Sequence, residues 1–207
     1  MTEKNPLPKQ QDFSTRAIHA GQAFDPHTGA IIPPIYQTST FVQDGIGGLR
    51  EGYEYSRGTN PTRDSLPEQL ASLEGGEHGF SFASGLAAED TLLRAVLAPG
   101  AHVVMGNDVY GGTHRLVSKV HGPWGVALDT VEMSDSDAVR AALRPETRIL
   151  WVETPSNPLL KITDIAALAE LGHEAGVLVV VDNTFASPYL QRPLALGADV
   201  VVHSTTK

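Results

Sequence analysis

A lysine with hydroxyl-bearing neighbours follows an apolar run near residue 200. Residues 198–202 are predicted to form a strand, which leads through Ser204 and Thr206 to Lys207. A lysine amine can form a Schiff base with a carbonyl ligand, and hydroxyl groups can donate hydrogen bonds to phosphate oxygens. The alternative is a solvated surface charge, so the assignment depends on what else lies at the same place.

A carboxylate follows another strongly apolar run. Asp182 comes directly after residues 177–181, so it is expected at the rim of the core, where a charge needs a cationic partner or several hydrogen bonds. A protonated ring nitrogen of a ligand would supply that cation, whereas the alternative is a carboxylate that caps a turn. If the strands before Asp182 and Lys207 are parallel neighbours, both groups meet at one end of the sheet.

Ser84, Gly85 and Leu86 stand where a predicted strand turns into a helix. The N-terminus of a helix offers free backbone N–H groups and the positive end of the helix dipole, which suits a phosphate. Gly85 would let a ligand approach the backbone closely. The alternative is an ordinary serine N-cap.

Three further side chains add to this pattern. Tyr110, beside two glycines, could stack on a flat ligand, and Arg57 beside Tyr55 suits phosphate binding. Asn157 could contact a ligand, although asparagine is more often a turn residue in such a tract. Together these residues suggest a ligand that combines a phosphate, an aldehyde and a cationic ring.

The elements that must position these groups alternate between strands and helices. Strands are predicted at 79–83, 102–105, 126–131, 148–152, 177–181 and 198–202, and helices at 65–73, 86–97, 112–121, 135–143 and 164–175. Apolar runs without strict alternation, separated by helices, are typical of a parallel sheet covered on both faces. The sequence therefore predicts a three-layer α/β domain with its ligand site at the carboxyl ends of the strands.

Composition limits the classes of function. The chain has 207 residues, of which 41% are hydrophobic, a formal net charge of −9 and no cysteine. The acidic balance argues against a nucleic-acid or anionic-membrane surface, and the lack of cysteine excludes a thiolate metal site. No apolar run approaches the length of a membrane span, so a soluble, cytoplasmic protein is expected. No metal site is predicted.

Motifs in the same order resemble those of the Cys/Met-metabolism family of pyridoxal-phosphate (PLP) enzymes. They are EYSRGTNPTR, FASGLAA, NDVYGGT, ETPSNP, VDNTFASPYLQRPLALGAD and HSTTK. The resemblance extends from about Thr15 onward and is strongest to the cystathionine γ-lyase and γ-synthase branches. It implies the fold-type I, aspartate aminotransferase-like large domain, with a mostly parallel sheet, truncated at the cofactor lysine.

The resemblance also implies a role for each matching residue. Lys207 would bind the cofactor covalently and move protons, Asp182 would keep the pyridine nitrogen protonated, and Tyr110 would stack on the ring and act as an acid or base. The phosphate would be bound by Gly85, Leu86, Ser204 and Thr206, and Asn157 would lie near the phenolic oxygen of the cofactor.

Oligomer formation is implied as well. In the family, Tyr55 and Arg57 reach the phosphate site of the neighbouring subunit, which implies a homodimer with shared active sites, usually paired into a tetramer. Residues 1–60 would then be an arm that packs on a partner, and 61–207 the first part of the cofactor-binding domain. Arg115 and Glu54 are implied substrate contacts.

The activity expected first is γ-elimination, which cleaves cystathionine to cysteine, 2-oxobutanoate and ammonia. The alternative is γ-replacement, in which the cysteine sulfur displaces the acyloxy group from Cγ of an O-acyl homoserine, or an enzyme with both activities. A dinucleotide-binding oxidoreductase is a more distant alternative, but the strand-to-helix turns lack the G-x-G-x-x-G pattern. A noncatalytic module of the same fold is the last alternative.

Overall fold

The computed structural model describes residues 11–207, which form two compact units. The first unit extends to Ser81, and the second runs from Phe82 to Lys207. Within the described residues, no helix is long and apolar enough to cross a membrane.

The first unit contains two helices, α1 (Phe13–His19) and α2 (Pro61–Glu74). Helix α2 begins earlier than predicted, because the Asn60 side chain accepts a hydrogen bond from the Thr62 N–H at 2.9 Å and Pro61 occupies the first helical position. Ser65 and Glu68 have the spacing of a capping box, which predicts Ser65 as the N-cap, but Ser65 lies inside α2 and does not cap it. Its hydroxyl instead donates to the carbonyl of Gly21, in the segment after α1.

The segment between α1 and α2 is built from turns and isolated bridges. Backbone bridges join Thr40 to Tyr55 and Arg50 to Tyr53. Several apolar side chains of this segment are exposed, among them Ile31, Ile32 and Ile35. Its predicted role as an arm that packs on a partner subunit stays a prediction.

The second unit is built on five parallel strands, which confirms the predicted α/β sheet. They are β1 (His102–Gly106), β2 (Ala127–Val131), β3 (Thr147–Glu153), β4 (Leu178–Asp182) and β5 (Val200–Val202). Their order in the sheet is β2-β1-β3-β4-β5. Strands β3, β4 and β5 therefore lie side by side. The predicted proximity of Asp182 and Lys207 needed parallel neighbouring strands before them, and β4 and β5 are such neighbours.

Helices flank this sheet. They are α3 (Gly85–Val96), α4 (Gly111–Arg115, which continues in a wider π-type turn to His121), α5 (Ser136–Ala142), α6 (Ile165–Glu174) and α7 (Ser187–Leu190). Leu150 of β3 belongs to one buried core with Leu168 of α6, whereas the next residue, Trp151, belongs to a second core with Leu93 of α3. Adjacent strand residues point to opposite faces, so the two cores lie on opposite faces of the sheet. The sheet and the helices on each side of it are the predicted three layers.

The prediction of a strand at 79–83 is wrong, because this tract does not form one. Phe80 is 80% exposed, and within residues 11–207 this tract has no hydrogen-bonded neighbour in the sheet. An apolar composition favours a strand, but a strand forms only where a second strand pairs with its backbone groups.

Candidate active site

A cavity of about 260 Å³ opens at the carboxyl ends of the strands in the second unit. It is lined by Ser84, Gly85, Leu86, Glu89, Tyr110, Glu153, Pro155, Asn157, Asp182, Thr184, Phe185, Ser204, Thr206 and Lys207. The site residues that the sequence predicts in this unit therefore meet in one place, with the exception of Arg115. Arg115 is exposed on α4 and does not line the cavity.

The N-terminus of α3 forms one wall of the cavity. The Ser84 hydroxyl caps the helix by accepting from the Ala87 N–H at 3.1 Å, while the N–H groups of Gly85 and Leu86 precede the first bonds within the helix. A Cβ on Gly85 would lie only 2.9 Å from the Cβ of Ser204. The serine N-cap is confirmed. A capped helix still presents its first N–H groups to a ligand, so the phosphate-binding role of this turn stays a prediction.

Asp182 lies at the end of β4, between two neighbouring strands. Its Cα pairs in register with Glu153 of β3 and Val202 of β5, and Oδ1 accepts from the Thr184 N–H at 2.9 Å. Burial raises the pKa of the Asp182 carboxyl, whereas hydrogen bonds from Thr184 and the charge of His203 oppose that rise. A ligand cation in the cavity would favour the ionised carboxylate.

The loop after β5 is tied to the loop after β4. The Thr184 hydroxyl accepts from the Ser204 N–H at 2.9 Å, and the Asn183 N–H donates to the carbonyl of Val202 at 3.0 Å. These bonds place the segment 204–207 beside Asp182. Lys207 thus shares the cavity with the carboxylate that the sequence paired with it.

The ring of Tyr110 is held beside a glycine. Tyr110 is 42% exposed, and its backbone N–H donates to Glu153 Oε2 at 2.7 Å. A Cβ on Gly112 would lie 2.3 Å from Cε1 of that ring. Glycine at 112 is therefore required for this position of the ring.

Two cavity residues, Glu89 and Glu153, were missed by sequence reasoning. They are only 4% and 8% exposed, and burial raises the pKa of each carboxyl to about 7, with the charge of Asp182 adding to the rise. Glu153 follows an apolar run just as Asp182 does, so the same rule of strand ends could have found it. Glu89 gave no such signal, because a glutamate within an amphipathic helix ordinarily faces water.

Replacing Glu89 by glutamine should stabilise the ligand-free protein at alkaline pH. The pKa of Glu89 is raised in the fold, from 4.5 to about 7, so its ionisation costs stability as the pH rises through that interval, and the cost is complete above it. We expect the variant to gain up to about 3 kcal/mol at pH 8 and nothing below pH ~4.5. Denaturant unfolding at both pH values measures the difference, and an equal effect at both would contradict it.

Comparison with known proteins identifies the family to which this site belongs. The family model for Cys/Met metabolism PLP-dependent enzymes matches residues 14–207. The chain belongs to this family. Its cofactor is accordingly pyridoxal phosphate, and its sheet and flanking helices are those of the fold-type I enzymes.

Three relatives illustrate the match. A cystathionine gamma-synthase from Mycobacterium tuberculosis is 59% identical over 194 residues, which cover 94% of this chain and 50% of that protein. The crystal structure of metB from Corynebacterium glutamicum is 52% identical with a TM-score of 0.94, covering 97% of this chain and 52% of that one. A cystathionine gamma-lyase from Lactobacillus plantarum, complexed with L-serine, is 49% identical with a TM-score of 0.89, covering 93% and 50%. The chain thus spans about half the length of these relatives.

The cavity fits this cofactor. The N–H groups at the start of α3 and the hydroxyls of Ser204 and Thr206 suit a phosphate, the Tyr110 ring suits a flat heterocycle, and buried Asp182 suits a protonated ring nitrogen. The amine of Lys207 suits an aldehyde. These roles, and the contact of Asn157 with the phenolic oxygen, remain assignments by resemblance.

The other predicted site residues lie in the first unit. The guanidinium carbon of Arg57 lies 5.2 Å from the centroid of the Tyr55 ring, a cation–π contact. The backbone carbonyl of Glu54 accepts from the Phe41 N–H at 3.0 Å. Their predicted roles at a shared site stay predictions.

Replacing Gly112 by alanine should displace the Tyr110 ring and impair the cofactor site. Because a misplacement of about 1 Å within a site can cost roughly 100-fold in rate, we expect a loss of turnover of that order in the full-length protein. Gly122→Ala is the matched control, because Gly122 lies outside the cavity and its Cβ would meet only the Val117 carbonyl oxygen at 3.7 Å, an ordinary contact. Equal effects of the two substitutions would contradict this explanation.

Proposed function

We propose that the full-length protein is a PLP-dependent cystathionine γ-synthase, which joins cysteine to the Cγ of an O-acyl homoserine. The cavity supports the proposal, because it combines a helix N-terminus, an aromatic ring, a buried carboxylate and a lysine amine. The choice of γ-replacement is supported by the mycobacterial relative that carries this name at 59% identity.

The bound cofactor would supply an electron-withdrawing ring that makes the hydrogens on Cα and then Cβ of an attached amino acid acidic. Lys207 would anchor the cofactor and then take the Cα proton on its Nζ. Asp182 would hold a proton on the ring nitrogen, and the N-terminus of α3 would fix the phosphate. Tyr110 would orient the ring and exchange a proton near the departing γ-substituent.

A second candidate is γ-elimination from cystathionine. The solved cystathionine gamma-lyase from Lactobacillus plantarum supports it, with 49% identity and a TM-score of 0.89. Both reactions need the same residues until the γ-substituent departs. They differ in whether cysteine or water completes the turnover.

Product analysis separates these candidates. Purified full-length protein is incubated with O-succinyl or O-acetyl homoserine plus cysteine, and separately with cystathionine alone. We expect cystathionine to accumulate in the first mixture and little oxoacid to form in the second. Rapid release of 2-oxobutanoate from cystathionine, without synthesis in the first mixture, would favour the lyase. Release of pyruvate would indicate cleavage at Cβ and contradict both.

We also propose that two copies share their active sites, with Tyr55 and Arg57 of one copy serving the other. The exposed apolar side chains of the segment before α2 support a partner contact. Mixing inactive Lys207→Ala protein with inactive Arg57→Ala protein should restore activity in hybrid dimers. No restoration after subunit exchange would contradict shared sites. A further pairing into tetramers and a cytoplasmic location remain predictions from the sequence.

A further inference from the structure

Two loops that line the cavity are joined by carboxylates. The first loop follows β1 and carries Asp108 and Tyr110, and the second follows β3 and carries Ser156 and Asn157. Glu153, the last residue of β3, accepts from the Tyr110 N–H at 2.7 Å. A carboxylate at the start of the second loop thus accepts a hydrogen bond from the first loop.

Asp108 makes the reciprocal contact. Its Oδ2 accepts from the Ser156 hydroxyl and, at 3.1 Å, from the Leu159 N–H. These two donors flank Asn157 in sequence. Asp108 and Glu153 therefore hold the two loops together from opposite directions, and we call this pair of contacts the carboxylate clasp.

The clasp lies partly out of water. Glu153 is 8% exposed and Ser156 is 4% exposed. The backbone N–H of Asn157 also lies close enough to the Glu153 carboxylate to lower its pKa, against the larger effect of burial. Hydrogen bonds to an ionised carboxylate are stronger and shorter than neutral ones, and a protonated carboxyl group can still accept, so the clasp restrains the backbone of both loops.

We propose that Glu153 and Asp108 are positioning residues, which set the Tyr110 ring and the Asn157 amide at the cofactor. The proposal uses the family's cofactor and does not depend on the choice between γ-replacement and γ-elimination. Neither carboxylate is assigned a chemical step. Glu153 acts on the backbone N–H of Tyr110, which lines the cavity. Asp108 acts on Ser156 and Leu159, which flank the cavity residue Asn157.

The test measures cofactor binding to full-length apoprotein, by the visible circular dichroism band of bound cofactor and by its dissociation constant. We expect Glu153→Ala and Asp108→Ala each to weaken binding roughly 10-fold or more and to reduce the dichroism band. Glu153→Gln should recover most of the affinity, because its amide oxygen can still accept from the Tyr110 N–H. Glu170→Ala, a change at an exposed position on α6, is the matched control.

A thermodynamic cycle distinguishes positioning from a general loss of stability. In a Tyr110→Ala background, Glu153→Ala should cause a smaller loss of cofactor affinity than in the unaltered protein, because the ring that it positions is gone. Affinity and dichroism unchanged within about twofold in both alanine variants would overturn the proposal, as would fully additive losses in the cycle. If Glu153→Ala does not fold, Asp108→Ala tests the other half of the clasp by the same two measurements.

Discussion

Full-length protein with Lys207 replaced by alanine should lose at least about 1,000-fold of its turnover, the largest effect that we expect from one substitution. Lys207 lines the cavity beside Asp182, and it is proposed both to anchor the cofactor and to carry the Cα proton. Alanine removes the covalent attachment and the base together. Turnover, and retention of cofactor after borohydride reduction and denaturation, are the two measurements.

Lys119→Ala is the matched control for this experiment, because Lys119 is exposed on the π-type turn after α4 and lies outside the cavity. It should retain both turnover and covalently reduced cofactor. Turnover within tenfold of the unaltered protein after Lys207→Ala would contradict the role assigned to this lysine. Cofactor trapped by borohydride in that variant would show that another amine binds it.

Asp182→Asn should reduce turnover by roughly 100- to 1,000-fold while leaving the fold intact. Asparagine has the same shape, and its Oδ1 can still accept from the Thr184 N–H, a bond of 2.9 Å in the structure. It carries no charge, so the proposed proton on the ring nitrogen loses its counter-ion. Steady-state kinetics and the absorption spectrum of bound cofactor measure the effect.

The control for this charge is Asp137→Asn, at an exposed position in the first turn of α5. It should leave kinetics and spectrum unchanged. Unaltered turnover in Asp182→Asn would show that the ring nitrogen needs no anionic partner. A loss of turnover together with a lower unfolding temperature, but an unchanged spectrum, would assign Asp182 to stability and not to the cofactor.

Much of the second unit could be predicted from the sequence because its central strands β1, β3 and β4 are short, apolar and largely buried. The rule that ligands bind beyond the carboxyl ends of parallel strands then selected Tyr110, Asn157, Asp182 and Lys207, all of which line the cavity. The resemblance supplied the cofactor and the role of each residue. Neither the rule nor the resemblance pointed to Glu89, whose contact with the cavity depends on how α3 is rotated against the sheet.

Two local predictions failed for physical reasons that a pattern does not contain. Ser65 and Glu68 have the spacing of a capping box, but Asn60 and Pro61 begin α2 a full turn earlier. The tract 79–83 has the composition of a strand, but a strand requires a neighbour that pairs with it. The start of α2 was decided by a competing N-cap at Asn60. The tract 79–83 does not form a strand because no neighbouring strand pairs with it in the described sheet.

The sequence by itself determined the α/β class, the parallel sheet and which strand ends carry chemistry, because apolar periodicity and residue type are local properties. The tertiary structure decided which of those ends meet. It placed β3, β4 and β5 side by side, so that Glu153, Asp182 and the segment 204–207 share one cavity. It also formed the carboxylate clasp, since Glu153 and Tyr110 are 43 residues apart in sequence and meet only through the packing of β1 against β3.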